Sequence, residues 1–75
     1  MPKLPVISAK ELIRLLLKNG CVMVSIKGSH FKIHNPVTGM TTVIPVHGNK
    51  DLDKGFLASI ISQLGINADD FLKYR

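Results

Sequence analysis

The chain has 75 residues and a mass of 8.2 kDa, which suffices for one small domain and excludes a two-domain enzyme. Hydrophobic residues make up 45% and charged residues 20%, a globular composition that excludes a disordered tail, so we expect residues 1–75 to form a single domain. Ten Lys and Arg against five Asp and Glu give a net charge of +5, which favours a polyanionic partner.

The first predicted element is a helix from Ala9 to Lys18. Ser8 and Glu11 have the spacing of a capping box, in which each side chain pairs with a backbone N–H that the start of a helix leaves free. Gly20 suits the left-handed residue that ends a helix. The apolar residues at helical spacing are Leu12, Ile13, Leu15 and Leu16.

From Cys21 to Asn35 the pattern has a period of two, which predicts two strands. Val22, Val24 and Ile26 alternate with Met23, Ser25 and Lys27, and Phe31 and Ile33 alternate with His30, Lys32 and His34. Gly28 and Ser29 fit a two-residue hairpin loop between them. In the resulting register every cross-strand pair agrees in polarity, whereas a slip of one residue would oppose charged to apolar side chains. The predicted pairs are Lys27 with His30, Ile26 with Phe31, Ser25 with Lys32, and Val24 with Ile33.

Residues 40–46 are rich in Thr, Val and Ile, which predicts a third strand after a turn at residues 36–39. The pattern does not fix the register of this strand. Pro45 has no backbone N–H to donate to a neighbouring strand, so we expect that end of the strand to lie at a sheet edge or just beyond it.

Two further helices complete the chain. One should end before Gly65, and Asn67 can cap a short last helix with Phe71 and Leu72. The apolar face of the longer helix is Leu57, Ile60, Ile61 and Leu64. We therefore predict an α+β fold of order α-β-β-β-α with a helical tail, in which helices cover one face of a three-stranded antiparallel sheet.

Helices packed over Val24, Ile26 and the apolar side of the hairpin would leave the opposite sheet face to solvent. The predicted residues of this outer face are Ser25, Lys27, His30, Lys32 and His34. Such a surface suits RNA cleavage. A neutral imidazole can take the proton of a ribose 2′-OH, or its protonated form can protonate the leaving oxygen, while lysines neutralise the phosphate.

A metal site is not expected from His30, His34 and His47. On a strand, positions four apart are separated by roughly 13 Å, too far for two nitrogens that must both lie about 2.0–2.1 Å from one zinc ion. His47 lies in a Pro-Val-His-Gly connection, where a loop hydrogen bond is the simpler role.

Cysteine usage indicates a reducing, cytosolic compartment, because Cys21 has no partner for an internal disulfide. Cys21 and Met23 fall at outer-face positions near the sheet edge, and without a neighbouring base Cys21 should be a passive thiol. The longest apolar runs are only four residues, so we expect neither a signal peptide nor a membrane span.

Several short motifs lie along most of the chain, from about Ser8 to Phe71. They are Lys27-Gly28-Ser29-His30, Val43-Ile44-Pro45-Val46-His47, Lys50, Leu52, Gly55, Leu57, Ile60, and Leu64-Gly65-Ile66 with Phe71. Together they resemble the HicA toxin family. The Gly-Ser-His turn combined with the Pro-Val-His connection is specific, whereas either element alone would be weak.

The resemblance implies a small double-stranded-RNA-binding-like fold and an mRNA interferase, an endoribonuclease that cuts messenger RNA without a bound metal or other cofactor and arrests growth. It places the catalytic histidine at His30, with Gly28 and Ser29 in the turn that presents it, and leaves His47 as a secondary candidate. It also implies a HicB-type antitoxin that binds the toxin and masks this site. From the strand register, and not from the family, we expect Lys27 and Lys32 to contact phosphate, with Ser29 adding a hydrogen bond.

Two other functions fit the same residues. A non-catalytic RNA-binding module could use the basic face for shape recognition of A-form RNA, and a protein-interaction domain could pair through an edge strand.

Two residues depart from the family pattern. Phe56 replaces a small polar residue after the glycine that opens the second helix. It could enlarge the antitoxin-facing or core surface. Cys21 stands where an aromatic residue is frequent in the family.

Overall fold

Six elements follow one another in the computed structural model, which describes residues 3–48 and 50–74. They are α1 (Ala9–Lys18), β1 (Val22–Lys27), β2 (His30–Asn35), β3 (Met40–Pro45), α2 (Lys54–Gln63) and α3 (Ala68–Leu72). The strands form one antiparallel sheet in the order β1-β2-β3, and the helices cover one face of it. This confirms the predicted α+β, double-stranded-RNA-binding-like fold. Of the predicted domain 1–75, residues 1, 2, 49 and 75 lie outside the described part.

The first helix begins and ends where its capping residues predict. The Oγ of Ser8 accepts a hydrogen bond of 3.2 Å from the backbone N–H of Glu11. After the last turn the N–H of Cys21 donates to the carbonyl of Leu16, and Gly20 adopts a left-handed φ of +106°. The predicted apolar face is buried: Leu12, Ile13, Leu15 and Leu16.

The third strand takes the register that the sequence left open. β3 pairs with β2 so that Pro45 lies opposite His30 and Val43 opposite Lys32. Pro45 is the last residue of a strand at the sheet edge, as predicted. Just beyond it, the N–H of Val46 donates to the carbonyl of the residue before His30 at 2.7 Å, so the end of β3 is tied to the start of β2.

A β-bulge in β1 corrects one predicted pair. The three pairs nearest the turn are as predicted: Lys27 with His30, Ile26 with Phe31, and Ser25 with Lys32. Beyond Ser25 the register shifts, and Met23 rather than Val24 lies opposite Ile33. The predicted pair of Val24 with Ile33 is therefore wrong, because Val24 is the extra residue that the bulge inserts into the strand.

The helices bury the inner side of β2 and β3 and leave β1 open. The buried sheet residues are Ile33, Asn35, Thr42 and Ile44. Every residue of β1 is exposed, so the prediction that Val24 and Ile26 pack beneath the helices is wrong. The reason is placement: α2 packs on β3, at the opposite edge of the sheet from β1, and α1 contacts β1 without burying any of its residues.

The predicted outer positions of Cys21 and Met23 are also wrong. Cys21 precedes β1 and is only 5% exposed, because its backbone completes the turn after α1 and directs the side chain into the core. Met23 is the cross-strand partner of the buried Ile33, and such partners project to the same side of a sheet. Met23 therefore belongs to the inner side.

The last two helices close the core as predicted. The buried face of α2 and its C-cap is Leu57, Ile60, Ile61 and Leu64. The Nδ2 of the buried Asn35 donates to the carbonyl of Leu64 at 2.8 Å and ties the end of β2 to this helix. The Oδ1 of Asn67 accepts from the N–H of Asp70 and caps α3, which buries Phe71. Within residues 3–48 and 50–74, no helix is long and apolar enough to cross a membrane.

Candidate functional site

The outer face of the sheet, away from the helices, holds a shallow basic depression. Its volume is about 170 Å³, and its lining residues are Ser25, Lys27, His30, Lys32 and Val43. Four residues predicted for the outer face thus surround one space. Val43 was missed by the sequence because only the register of β3 places it there.

Strand pairing brings these side chains together. Lys27 and His30 are direct cross-strand partners, a relationship that places Cβ atoms about 4.5–5.5 Å apart. Lys32 follows His30 by two positions, and residues two apart on a strand share a face. Val43 lies opposite Lys32 on β3 and completes the wall on that side. His30 therefore has one lysine across the ladder and another along its own strand.

The turn between β1 and β2 presents His30 without lining the depression. Gly28 has a φ of +57°, and among the described residues only glycines have positive φ, so Ser29 does not. Positive φ at the first turn residue alone is the pattern of a type II′ hairpin turn. Ser29 is half-buried, and its carbonyl accepts the 2.7 Å hydrogen bond from Val46, which anchors the turn. The contact of Ser29 with phosphate stays a prediction.

The depression is electrostatically suited to an anion. No Asp or Glu occurs between Leu12 and Lys50, a segment that contains all three strands. Lys27, His30 and Lys32 are exposed, so a phosphate can approach two ammonium groups and an imidazole without meeting a carboxylate of the sheet.

His34 lies on the same face but has a different environment. Its Nδ1 is 2.8 Å from the Oγ1 of Thr41, its cross-strand partner. The ring is half-buried and does not line the basic depression. Of the two outer-face histidines of β2, His30 is the one that a substrate in the depression would meet.

His47 lines a separate space beside the start of α2. The lining residues of this His47 groove, whose volume is about 170 Å³, are Ala9, Pro45, His47, Lys50, Asp51, Leu52, Asp53 and Phe56. Phe56 is 40% exposed there, so it enlarges the surface and not the core. The Oδ2 of Asp53 caps α2 by accepting from the N–H groups of Gly55 and Phe56. The structure does not bring His47 into the basic depression.

Other reactive side chains are accounted for by their surroundings. In the described part of the chain, no group of three or more His, Cys, Asp or Glu could hold a metal ion. Cys21 is buried, and the loss of hydration raises the pKa of its thiol. A raised pKa lowers the thiolate fraction at neutral pH, which fits a passive thiol.

Comparison with known proteins identifies the family. Residues 9–66 match the family described as the HicA toxin of bacterial toxin-antitoxin. The chain belongs to the HicA toxin family. It is also similar to a protein of Pseudomonas fluorescens (strain Pf0-1) named "Probable mRNA interferase HicA", with 41% identity over 56 residues that cover 75% of this chain and 90% of the relative.

The match to the HicA toxin family takes in α1, the whole sheet and α2. Every residue that lines the basic depression therefore lies in the HicA-type part of the chain, as does the His47 groove. The resemblance read from the sequence motifs is confirmed at the level of the family.

Proposed function

We propose that this chain is the toxin of a type II toxin–antitoxin pair and acts as an mRNA interferase, an endoribonuclease whose catalytic residue is His30. The observation that carries the proposal is the basic depression, in which an exposed imidazole lies beside two lysines on a sheet without carboxylates. Membership of the HicA toxin family and the name of the Pseudomonas relative support the same activity.

In the proposed reaction the nucleophile is the 2′-hydroxyl of the RNA itself. The neutral imidazole of His30 takes the proton of this hydroxyl while the 2′-oxygen attacks the adjacent phosphorus. The bond between phosphorus and the 5′-oxygen of the next nucleotide breaks, and that oxygen takes a proton from the imidazolium or from water. The products are a 2′,3′-cyclic phosphate and a 5′-hydroxyl end.

The lysines supply charge stabilisation in this proposal. Attack by the 2′-oxygen concentrates negative charge on the non-bridging phosphate oxygens, and Lys27 and Lys32 lie where they can neutralise it. The hydroxyl of Ser25 lines the same depression and can donate a hydrogen bond to phosphate, and Ser29 can do so from the turn. In this proposal the substrate supplies the nucleophile and side chains of the protein supply the remaining roles, without a metal ion or cofactor.

The proposed partners are messenger RNA and a HicB-type antitoxin that covers the basic depression. A free ribonuclease of this kind would degrade the RNA of its own host, so it needs an inhibitor, and one that covers the basic depression would block the access of RNA directly. Because messenger RNA is the substrate, we place the toxin in the cytoplasm.

The chemistry of the product ends tests the proposal. Purified protein is incubated with a long messenger RNA, and the fragments are labelled with polynucleotide kinase without prior phosphatase treatment. We expect labelling, because the new 5′ ends carry hydroxyl groups. A short RNA with one 2′-deoxynucleotide on the 5′ side of a mapped cut should resist cleavage there. Fragments with 5′-phosphate ends would contradict the mechanism, and RNA binding without any cleavage would favour the non-catalytic RNA-binding module.

A further inference from the structure

β1 is an edge strand with no buried residue, whereas β2 and β3 each bury two. It pairs with β2 on one side, and no backbone hydrogen bond joins its other side to the chain within the described ranges. Its exposed apolar side chains are Val22 at 47%, Met23 at 36%, Val24 at 55% and Ile26 at 54%. An open row of backbone N–H and C=O groups flanked by apolar side chains is the feature to which an additional strand binds.

Apolar exposure occurs on both sides of this edge. Val22 is the partner of His34, on the outer face, whereas Ile26 is the partner of Phe31, on the inner side. A globular ligand touching only one face would leave half of these side chains in water. An extended segment lying along β1 would cover both faces, because its own side chains alternate above and below the sheet.

The charge around β1 selects an acidic segment. Lys27 is the last residue of β1, and Lys32 lies on the outer face of the neighbouring strand β2. The segment between Leu12 and Lys50 contains no carboxylate. A second copy of the chain would bring another net charge of +5 to the same edge, which disfavours self-pairing. RNA lacks both the peptide groups and the apolar side chains that an open strand edge binds.

We propose that β1 is the docking edge for an extended acidic strand of the antitoxin, which adds to the sheet as a fourth strand beside β1. This rests on the proposed function, since it assigns a contact surface to the proposed antitoxin. Residues of the added strand would lie about 4.7–4.9 Å from β1 along the hydrogen-bonding direction. A carboxylate on its outer face then reaches Lys27, which lines the basic depression beside His30. Strand addition thus places negative charge where the RNA phosphate would bind.

The test uses the substitution Val24→Glu and its matched control Val37→Glu. Val24 lies at the bulge and outside the core, so a carboxylate there should leave the fold intact while repelling an acidic strand. Val37 is 90% exposed in the turn between β2 and β3 and is not part of β1. For each variant, cleavage of RNA is measured alone and then with increasing amounts of purified HicB-type antitoxin.

We expect Val24→Glu to raise the antitoxin concentration needed for half inhibition by about tenfold or more, and Val37→Glu to leave it unchanged. Without antitoxin, Val37→Glu should cleave RNA like the parent, and Val24→Glu should bind RNA somewhat more weakly because it adds a carboxylate to the sheet, so inhibition is expressed relative to each variant's own rate. Equal inhibition of both variants would overturn the proposal that β1 is the docking edge, while the ribonuclease proposal would stand.

If the parent cleaves no RNA, the proposed function fails. Binding of the antitoxin to the two variants then still decides whether β1 is the docking edge. A free parent that is dimeric, with Val24→Glu monomeric, would assign the edge to a second copy and overturn the proposal.

Amide hydrogen exchange provides a readout that needs no substitution. In the complex with antitoxin, residues 22–27 should gain protection, because their outward N–H groups become hydrogen-bonded to the added strand. Residues 36–39 provide the internal reference and should exchange at an unchanged rate. Unchanged exchange of residues 22–27 in a complex that inhibits cleavage would overturn the proposal.

Discussion

Lys27 lies directly opposite His30 in the pair that closes the β1–β2 hairpin. Because the positive φ of Gly28 and the hydrogen bond from Val46 to Ser29 hold this turn, the ammonium and the imidazole are presented together. A phosphate that reaches the imidazole therefore also meets a cation. This pairing connects the fold to the proposed reaction, in which one residue moves the proton and its neighbour offsets the charge.

The pH dependence of cleavage should report the general base. Only a neutral imidazole can accept the proton of the 2′-hydroxyl, so the single-turnover rate should rise with pH and then reach a plateau. The measurement is the rate at saturating protein over about pH 5 to 8, at constant ionic strength. A rate that stays flat over this range would argue against His30 as the base.

Lys32 should contribute to RNA affinity as well as to charge stabilisation in the chemical step. Lys32→Ala is expected to raise the RNA concentration for half-maximal rate, and to reduce the slope of log affinity against log salt by about 0.7, the value for one phosphate contact on a single strand. The matched control is Lys73→Ala, which removes an exposed lysine at the end of α3. If the two variants behave alike, the outer face is wrongly assigned as the RNA surface.

Gly65 should tolerate alanine less well than Gly39. Both adopt left-handed φ, +73° and +75°, so alanine costs about 1–2 kcal/mol of backbone strain at either position. At Gly65 the new Cβ would also lie 2.7 Å from the Cγ2 of Thr38, whose Oγ1 is held by a hydrogen bond to the carbonyl of Leu64. At Gly39 nothing lies within 4 Å. Urea denaturation should therefore show the lower free energy of unfolding for Gly65→Ala, and equal losses would contradict the packing described.

The fold should lose stability at alkaline pH through Cys21 and Tyr74. Burial raises the pKa of the Cys21 thiol, and burial together with the charges of Cys21 and Asp70 raises the pKa of the Tyr74 phenol. Each group then loses its proton in the unfolded chain at a lower pH than in the fold. Ionisation therefore favours the unfolded state as pH rises above 9.0, the ordinary pKa of the thiol.

The measurement for this alkaline effect is the urea midpoint at several pH values from neutrality upward, for the parent and for Cys21→Ala. The parent midpoint should fall at the alkaline end, and the fall should be smaller in Cys21→Ala, where the thiol no longer contributes. A midpoint that rises with pH in the parent would reverse the sign of the linkage and contradict the burial of these groups.

Local signals in the sequence predicted much of the fold. The bounds of α1 follow from Ser8 and Gly20, since caps act within one turn of the helix. The pairing next to the Gly28-Ser29 turn follows from polarity, and it placed Lys27, His30 and Lys32 together correctly. These features depend on neighbours in the chain, which the sequence displays directly.

Features that depend on tertiary placement were not predictable in the same way. Residues 21–24 are all apolar, so the pattern does not mark Val24 as the extra residue of a bulge. Ile26 is as hydrophobic as a core residue, and only the position of α2 on β3 shows that it stays exposed. Val43 lines the basic depression because of the register of β3, and no local signal in the sequence determines that register.

The most direct test compares the cleavage of a long messenger RNA by the parent, by His30→Ala and by His47→Ala in the presence of EDTA. The products are resolved on a denaturing gel, and RNA binding is measured in parallel. We predict cleavage by the parent, a loss of about 10²–10⁴-fold in His30→Ala with RNA affinity largely retained, and a rate close to that of the parent in His47→Ala. Cleavage by His30→Ala at the rate of the parent would contradict the central claim that this imidazole performs the reaction.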